Sequence, residues 1–164
     1  MGDIHHKPRV SVVQAAPVFL DRERSLDKAI GFIEEAGCAG VNLLAFPEGY
    51  IPGHPLWYHF HPATGRKSRR MAAQLFDNAV EVPSQTVEAL GAAARRAGVN
   101  LVMGVCERRA GTMGTMYNTQ LFIDRRGQLV GKHQKLTPTA GERVVHTGGY
   151  GDTLSTLEMD VGRV

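Results

Sequence analysis

An α/β layered fold with a mixed sheet is predicted by two features of this sequence. A strand, helix, strand order repeats over its first hundred residues, and a turn-centred pair of short extended segments follows. Val10, Val12 and Val13 form a β-branched run closed by Pro17, which reads as a first, buried strand. Asp21 is placed to cap a helix in which Leu26, Ala29, Ile30 and Ile33 recur at helical spacing until Gly37 and Gly40 break the pattern. Residues 41–46, bounded by Gly40 and Pro47, are a compact apolar run and a second strand, and the intervening helix implies a parallel crossover. Glu48 then falls just past a strand's carboxyl end.

Residues 49–65 are rich in Pro, Gly, His and aromatics, and Pro52, Pro55 and Pro62 exclude a long regular element, so a structured loop is expected. Residues 67–78 suit a short helix. Ser84 is placed to cap another, with Val87, Leu90, Ala94 and Ala97 on its apolar face and Gly98 at its end. Residues 100–105 read as a third strand. After a turn at residues 111–114, residues 116–123, the turn Asp124-Arg125-Arg126-Gly127 and residues 128–132 read as a hairpin, which makes the sheet mixed. In residues 153–161, Leu154, Leu157 and Met159 alternate with polar residues.

The composition, 43% hydrophobic and 21% charged, is that of an ordinary globular domain. Nineteen basic against sixteen acidic residues give a net charge of +3. The one dense basic run, Arg66, Lys67, Arg69 and Arg70, lies in a loop-like stretch without interleaved stacking aromatics. It reads as a solvated face or a subunit contact, and no nucleic-acid partner is expected. Cys38 and Cys106 lie far apart in segments of different type, which suggests neither a disulfide framework nor a metal pair and fits a reducing cytoplasm. Both read as buried, inert thiols. Residues 1–9 have no apolar core and form no secretory signal. No stretch approaches the roughly 20 apolar residues of a membrane-spanning helix.

Two segments bear candidate chemistry. Ala45-Phe46-Pro47-Glu48-Gly49 sets a carboxylate at a strand's end, where open α/β sheets bind ligands. Apolar walls would lift its pKa toward the range of a general base, while a structural ion pair with a basic residue is the rival reading. Lys135, before the Pro138 and Gly141 loop, is placed to offset charge developing on a substrate, with an ordinary surface lysine as the alternative. His54, His59 and His61 match no zinc spacing, so no metal is expected.

The two segments together resemble the nitrilase branch of the carbon-nitrogen hydrolase superfamily. Phe46-Pro47-Glu48, the loop from Gly49 to Trp57, Tyr117-Asn118-Thr119 and Lys135-Leu136-Thr137-Pro138-Thr139 with Glu142-Arg143 carry the likeness, in matching order and separation. It runs from about Arg9 to Val164. The resemblance implies an αββα sandwich, incomplete here, with residues 1–8 a polar segment and residues 9–164 the N-terminal part of the hydrolase domain. It also implies Glu48 as general base, Lys135 as the stabilising cation and Glu142 as a supporting carboxylate. The nucleophilic cysteine would follow shortly after Val164, outside this sequence, so this chain alone would be inactive. No cofactor is implied, and the complete enzyme would be a dimer or spiral assembly acting on a small nitrile. An amidase of the same superfamily and an inactive assembly module are the alternatives.

Overall fold

The computed structural model describes residues 7–164, so most of the polar segment, with His5 and His6, lies outside the described residues. β1 (Val10–Val12) pairs in parallel with β2 (Leu43–Ala45), and β2 in parallel with β3 (Asn100–Arg108). α1 (Arg22–Cys38) makes the first crossover, and the Asp21 carboxylate accepts the Arg24 N–H at 3.0 Å to cap it. The second crossover carries α2 (Arg66–Asn78) and α3 (Gln85–Ala97), the latter ended by Gly98 in the left-handed region at φ +68°. β4 (Met116–Ile123) and β5 (Leu129–Gln134) complete the sheet as an antiparallel hairpin. The five strands lie in sequence order, and the sheet is mixed as expected.

The alternation of β3 and β4 divides the core. Leu101, Met103 and Val105 of β3 and Leu121 and Ile123 of β4 face α1 and α3, where they meet Ala29, Ile33, Leu90 and Ala94 in a cluster closed to solvent. Each large aliphatic side chain buried there contributes about 1.5–3 kcal/mol. On the opposite face, Cys106 and Met116 join Trp57, Leu75, Ala79 and Val145, which seats α2 and the loop after β2.

Several expectations are corrected. β1 is an exposed edge strand, with Val10 54% and Val12 74% exposed, because it pairs on one side only. Ser84 occupies the N-cap position of α3, but its side chain makes no capping hydrogen bond and its Oγ is buried without a partner. Cys38 is exposed at the last residue of α1. The basic run lies on the first turns of α2 rather than in a loop, with its four cationic side chains turned to solvent. Beyond the five-stranded sheet, β6 (Glu158–Met159) and β7 (Gly162–Arg163) pair as a ribbon of two residues a strand, and Leu154 before it is exposed. So short a ribbon has no apolar face to bury alone. No described helix is long and apolar enough to cross a membrane.

Candidate active site

The chain leaving β2 stays pressed against β3. Phe46 N–H donates to the Val102 carbonyl at 2.8 Å, Ile51 N–H to the Gly104 carbonyl at 3.2 Å and Cys106 N–H to the Ile51 carbonyl at 2.8 Å. This close approach requires glycine at 104, where a Cβ would stand 2.1 Å from the Pro47 carbonyl oxygen. Glu48 is thereby held at the sheet's carboxyl edge. Lys135 lies one residue past β5 at the same edge, and its N–H donates to the Asn118 carbonyl at 2.8 Å. Lys132 points the other way and pairs with buried Glu107, because residues three apart on a strand face opposite sides. Glu142 sits in the 3₁₀ turn Ala140–Val144, and its carboxylate accepts the Thr139 N–H at 2.9 Å.

These elements bring Glu48, Lys135 and Glu142 together. Lys135 Nζ lies 2.8 Å from Glu48 Oε1 and 2.8 Å from Glu142 Oε2. Asn118 Nδ2 donates to Glu48 Oε1 at 2.5 Å and to Glu142 Oε1 at 2.6 Å. Two carboxylates and two nitrogen donors therefore alternate around a closed ring. His146, fully buried behind it, bonds Glu142 Oε1 through Nδ1 at 3.0 Å. His54 Nε2 lies 3.1 Å from the Tyr58 hydroxyl, and the His54 and His146 rings are 6.2 Å apart. A cleft of about 540 Å³ opens beside the ring, lined by Glu48, Asn118, Gln120, His133, Lys135, Leu136 and Thr137.

The electrostatics overturn one expectation. Burial pushes the Glu48 carboxyl up, but hydrogen bonds from Lys135 and Asn118 outweigh it and hold the group below its ordinary value. Glu48 is thus ionised and ion-paired, not lifted toward neutrality. Burial also opposes the charge on Glu142, yet Lys135, the Thr139 N–H, Asn118 and His146 hold it down at about 2. Burial would lower Lys135, and its bonds to Glu142 and Glu48 raise it instead. Both histidines are lowered by burial.

Glu48, His54 and Glu142 place potential metal-ligand atoms within 4.8 Å of one another. The Lys135 ammonium already supplies a cation to both carboxylates. Cys106 lies on β3 opposite Asn118, fully buried, and its thiol donates to the Gly53 carbonyl at 3.5 Å. Burial, with the Glu142 and Glu48 charges nearby, pushes its pKa far up, which disfavours the thiolate, and the thiol is buried as the sequence suggests. His59 and His61 take no part in the ring. Sequence reasoning passed over Asn118 and His146 as site residues. For His146, the four-residue spacing from Glu142 is a usable signal; for Asn118, only its strand register reveals the part it plays.

Fold and site together define an α/β sheet protein with a lysine clamped between two glutamates at the carboxyl edge of its sheet. The chain belongs to the carbon-nitrogen hydrolase family, whose model matches residues 9–164. It is 41% identical over 155 residues to Nitrilase 2 of an unknown prokaryotic organism, covering 94% of this chain and 49% of that protein. It is 38% identical over 158 residues to an aliphatic nitrilase of Rhodococcus rhodochrous, covering 96% of this chain and 40% of the relative. Such relatives place it in the nitrilase branch, and it spans about half the length of the curated relatives it matches. Among solved structures, the carbon-nitrogen hydrolase of Helicobacter pylori G27 superposes with a TM-score of 0.69 at 20% identity, over 95% of this chain and 49% of that one. An amidase from Nesterenkonia sp. gives 0.63 at 18% identity, over 87% and 48%. These two likenesses concern the fold.

Proposed function

We propose that this chain supplies the glutamate and lysine of a nitrilase, which converts a small nitrile to a carboxylic acid and ammonia. The observation that carries the reading is the Lys135 ammonium held 2.8 Å from both Glu48 and Glu142 beside an open cleft. Similarity to proteins named nitrilases at 36–41% identity supports the substrate class. Residues 9–164 are read as the N-terminal part of one hydrolase domain, with the cysteine nucleophile following Val164. Self-association and a cytoplasmic location belong to the same reading.

In this mechanism Glu48, ionised in the resting site, accepts the proton of the cysteine thiol. The thiolate adds to the nitrile carbon and, with a proton delivered to nitrogen, gives a thioimidate. Water adds to the thioimidate, the C–N bond breaks and ammonia leaves an acyl-enzyme. A second water cleaves the thioester and releases the acid. Lys135 offsets the negative charge that builds on the attacked group. Glu142, kept charged by its four donors, holds Lys135 in place rather than exchanging protons.

The test is ammonia release by the complete polypeptide from simple nitriles and amides. Glu48→Gln and Lys135→Ala are each expected to lower turnover by about 10²–10⁴-fold. Normal turnover in Glu48→Gln would refute the base assignment. Ammonia from amides but not from nitriles would instead favour the amidase reading.

A further inference from the structure

We propose that Asn118 is a positioning residue that keeps Glu48 and Glu142 ionised side by side, and thereby sets the pH range in which Glu48 can act as a base. The assignment rests on the hydrolase reading above, since it names a further residue serving that base. It begins from charge. Two carboxylates share one ammonium, and two carboxylates in one site raise each other's proton affinity. A second donor shared by both carboxylates offsets that repulsion.

Asn118 is that donor. Its Nδ2 carries two hydrogens, and the structure directs the nitrogen at one oxygen of each glutamate, 2.5 and 2.6 Å away. The reverse amide orientation would set the carbonyl oxygen against two anions, so the chemistry fixes the orientation. The residue is 5% exposed and lies on β4 between β3 and β5, opposite fully buried Cys106, so its backbone has little freedom.

The two glutamates depend on it unequally. Glu142 also has Lys135, the Thr139 N–H and His146 as donors, whereas among the described residues Glu48 has only Lys135 besides Asn118. The other titratable groups around the ring are His54 and Tyr58 from the loop after β2, the buried Cys106 thiol on β3 across from Asn118, and His133 of β5 in the cleft wall. Loss of the amide removes one of two donors from Glu48 but one of four from Glu142. The effect therefore falls on the base.

The experiment is a carboxyl carbon NMR titration of the complete polypeptide, comparing wild type with Asn118→Leu and Asn118→Asp, alongside kcat/KM for ammonia release against pH. The Glu48 midpoint is expected to rise by about one unit in Asn118→Leu and further in Asn118→Asp, with Glu142 moving less. The acid limb of kcat/KM should move with Glu48, whereas a merely structural loss would depress the rate at every pH and leave the limb in place. An unmoved Glu48 midpoint in folded Asn118→Leu, or a larger shift at Glu142 than at Glu48, overturns the proposal. Asn118→Asp, of the same shape, carries the comparison if the leucine variant does not fold. Absence of ammonia release by the wild type would remove the hydrolase reading, and the NMR midpoints alone would then decide the role of Asn118.

Discussion

His146 shows how one side chain ties the site to stability. It is 2% exposed, its Nδ1 bonds Glu142, and its Nε2 is buried with no partner. Burial lowers its pKa although Glu142 pulls the other way, so the folded chain holds it neutral while an unfolded chain protonates it near the ordinary 6.5. Below that pH the unfolded state binds more protons. Stability from this residue is therefore complete above about pH 6.5 and falls as the pH drops through it. His146→Asn, which cannot titrate, should reduce the slope of Tm between about pH 7 and pH 5. Some slope should remain, since His54 is lowered by burial too. A slope equal to wild type would reject this account. Glu142 adds a second acid loss at lower pH, as protons reach a carboxyl held at about 2.

At the scale of elements, the β2–loop–β3 contact decides where Glu48 stands. The strand, the capped α1 and the hairpin were legible because apolar spacing, Asp21 and the Asp124 to Gly127 turn are local signals. The need for glycine at 104 was not, since it arises from a backbone more than fifty residues away. Gly104→Ala would drive a Cβ to 2.1 Å from the Pro47 oxygen and force the Glu48 backbone outward. We expect a stability loss of about 1–3 kcal/mol in a denaturant melt, together with a weakened Glu48–Lys135 pair. A variant as stable as wild type would mean that the loop yields without strain. Ser84 gives the reverse lesson: the residue type and position suit a cap, but its hydroxyl makes no capping bond.

Across the whole molecule, the sheet has one well-covered face and one partly open. α1 and α3 seal the first, while Val10 and Val12 of the edge strand stand 54% and 74% exposed, with Val102 and Phe122 half-buried. An apolar edge strand is a template for pairing with another chain. Residues 1–164 expressed alone should self-associate with rising concentration in light scattering, and Val12→Lys should shift them toward monomer. Concentration-independent monomers in the unmutated chain would show that this surface is benign.

Sequence alone determined the α/β class, the order of strands and helices, and the placement of Glu48 and Lys135 just past strand ends. Those features depend on periodicity, caps and turns, which act over a few residues. Resemblance added Glu142 to the site. Only the tertiary structure decided that Glu48 is ion-paired rather than lifted toward neutrality, that Asn118 bridges both glutamates, and that β1 is an exposed edge. A pKa depends on which donors and charges reach a carboxylate in space, and the donors of Glu48 lie seventy and eighty-seven residues away along the chain.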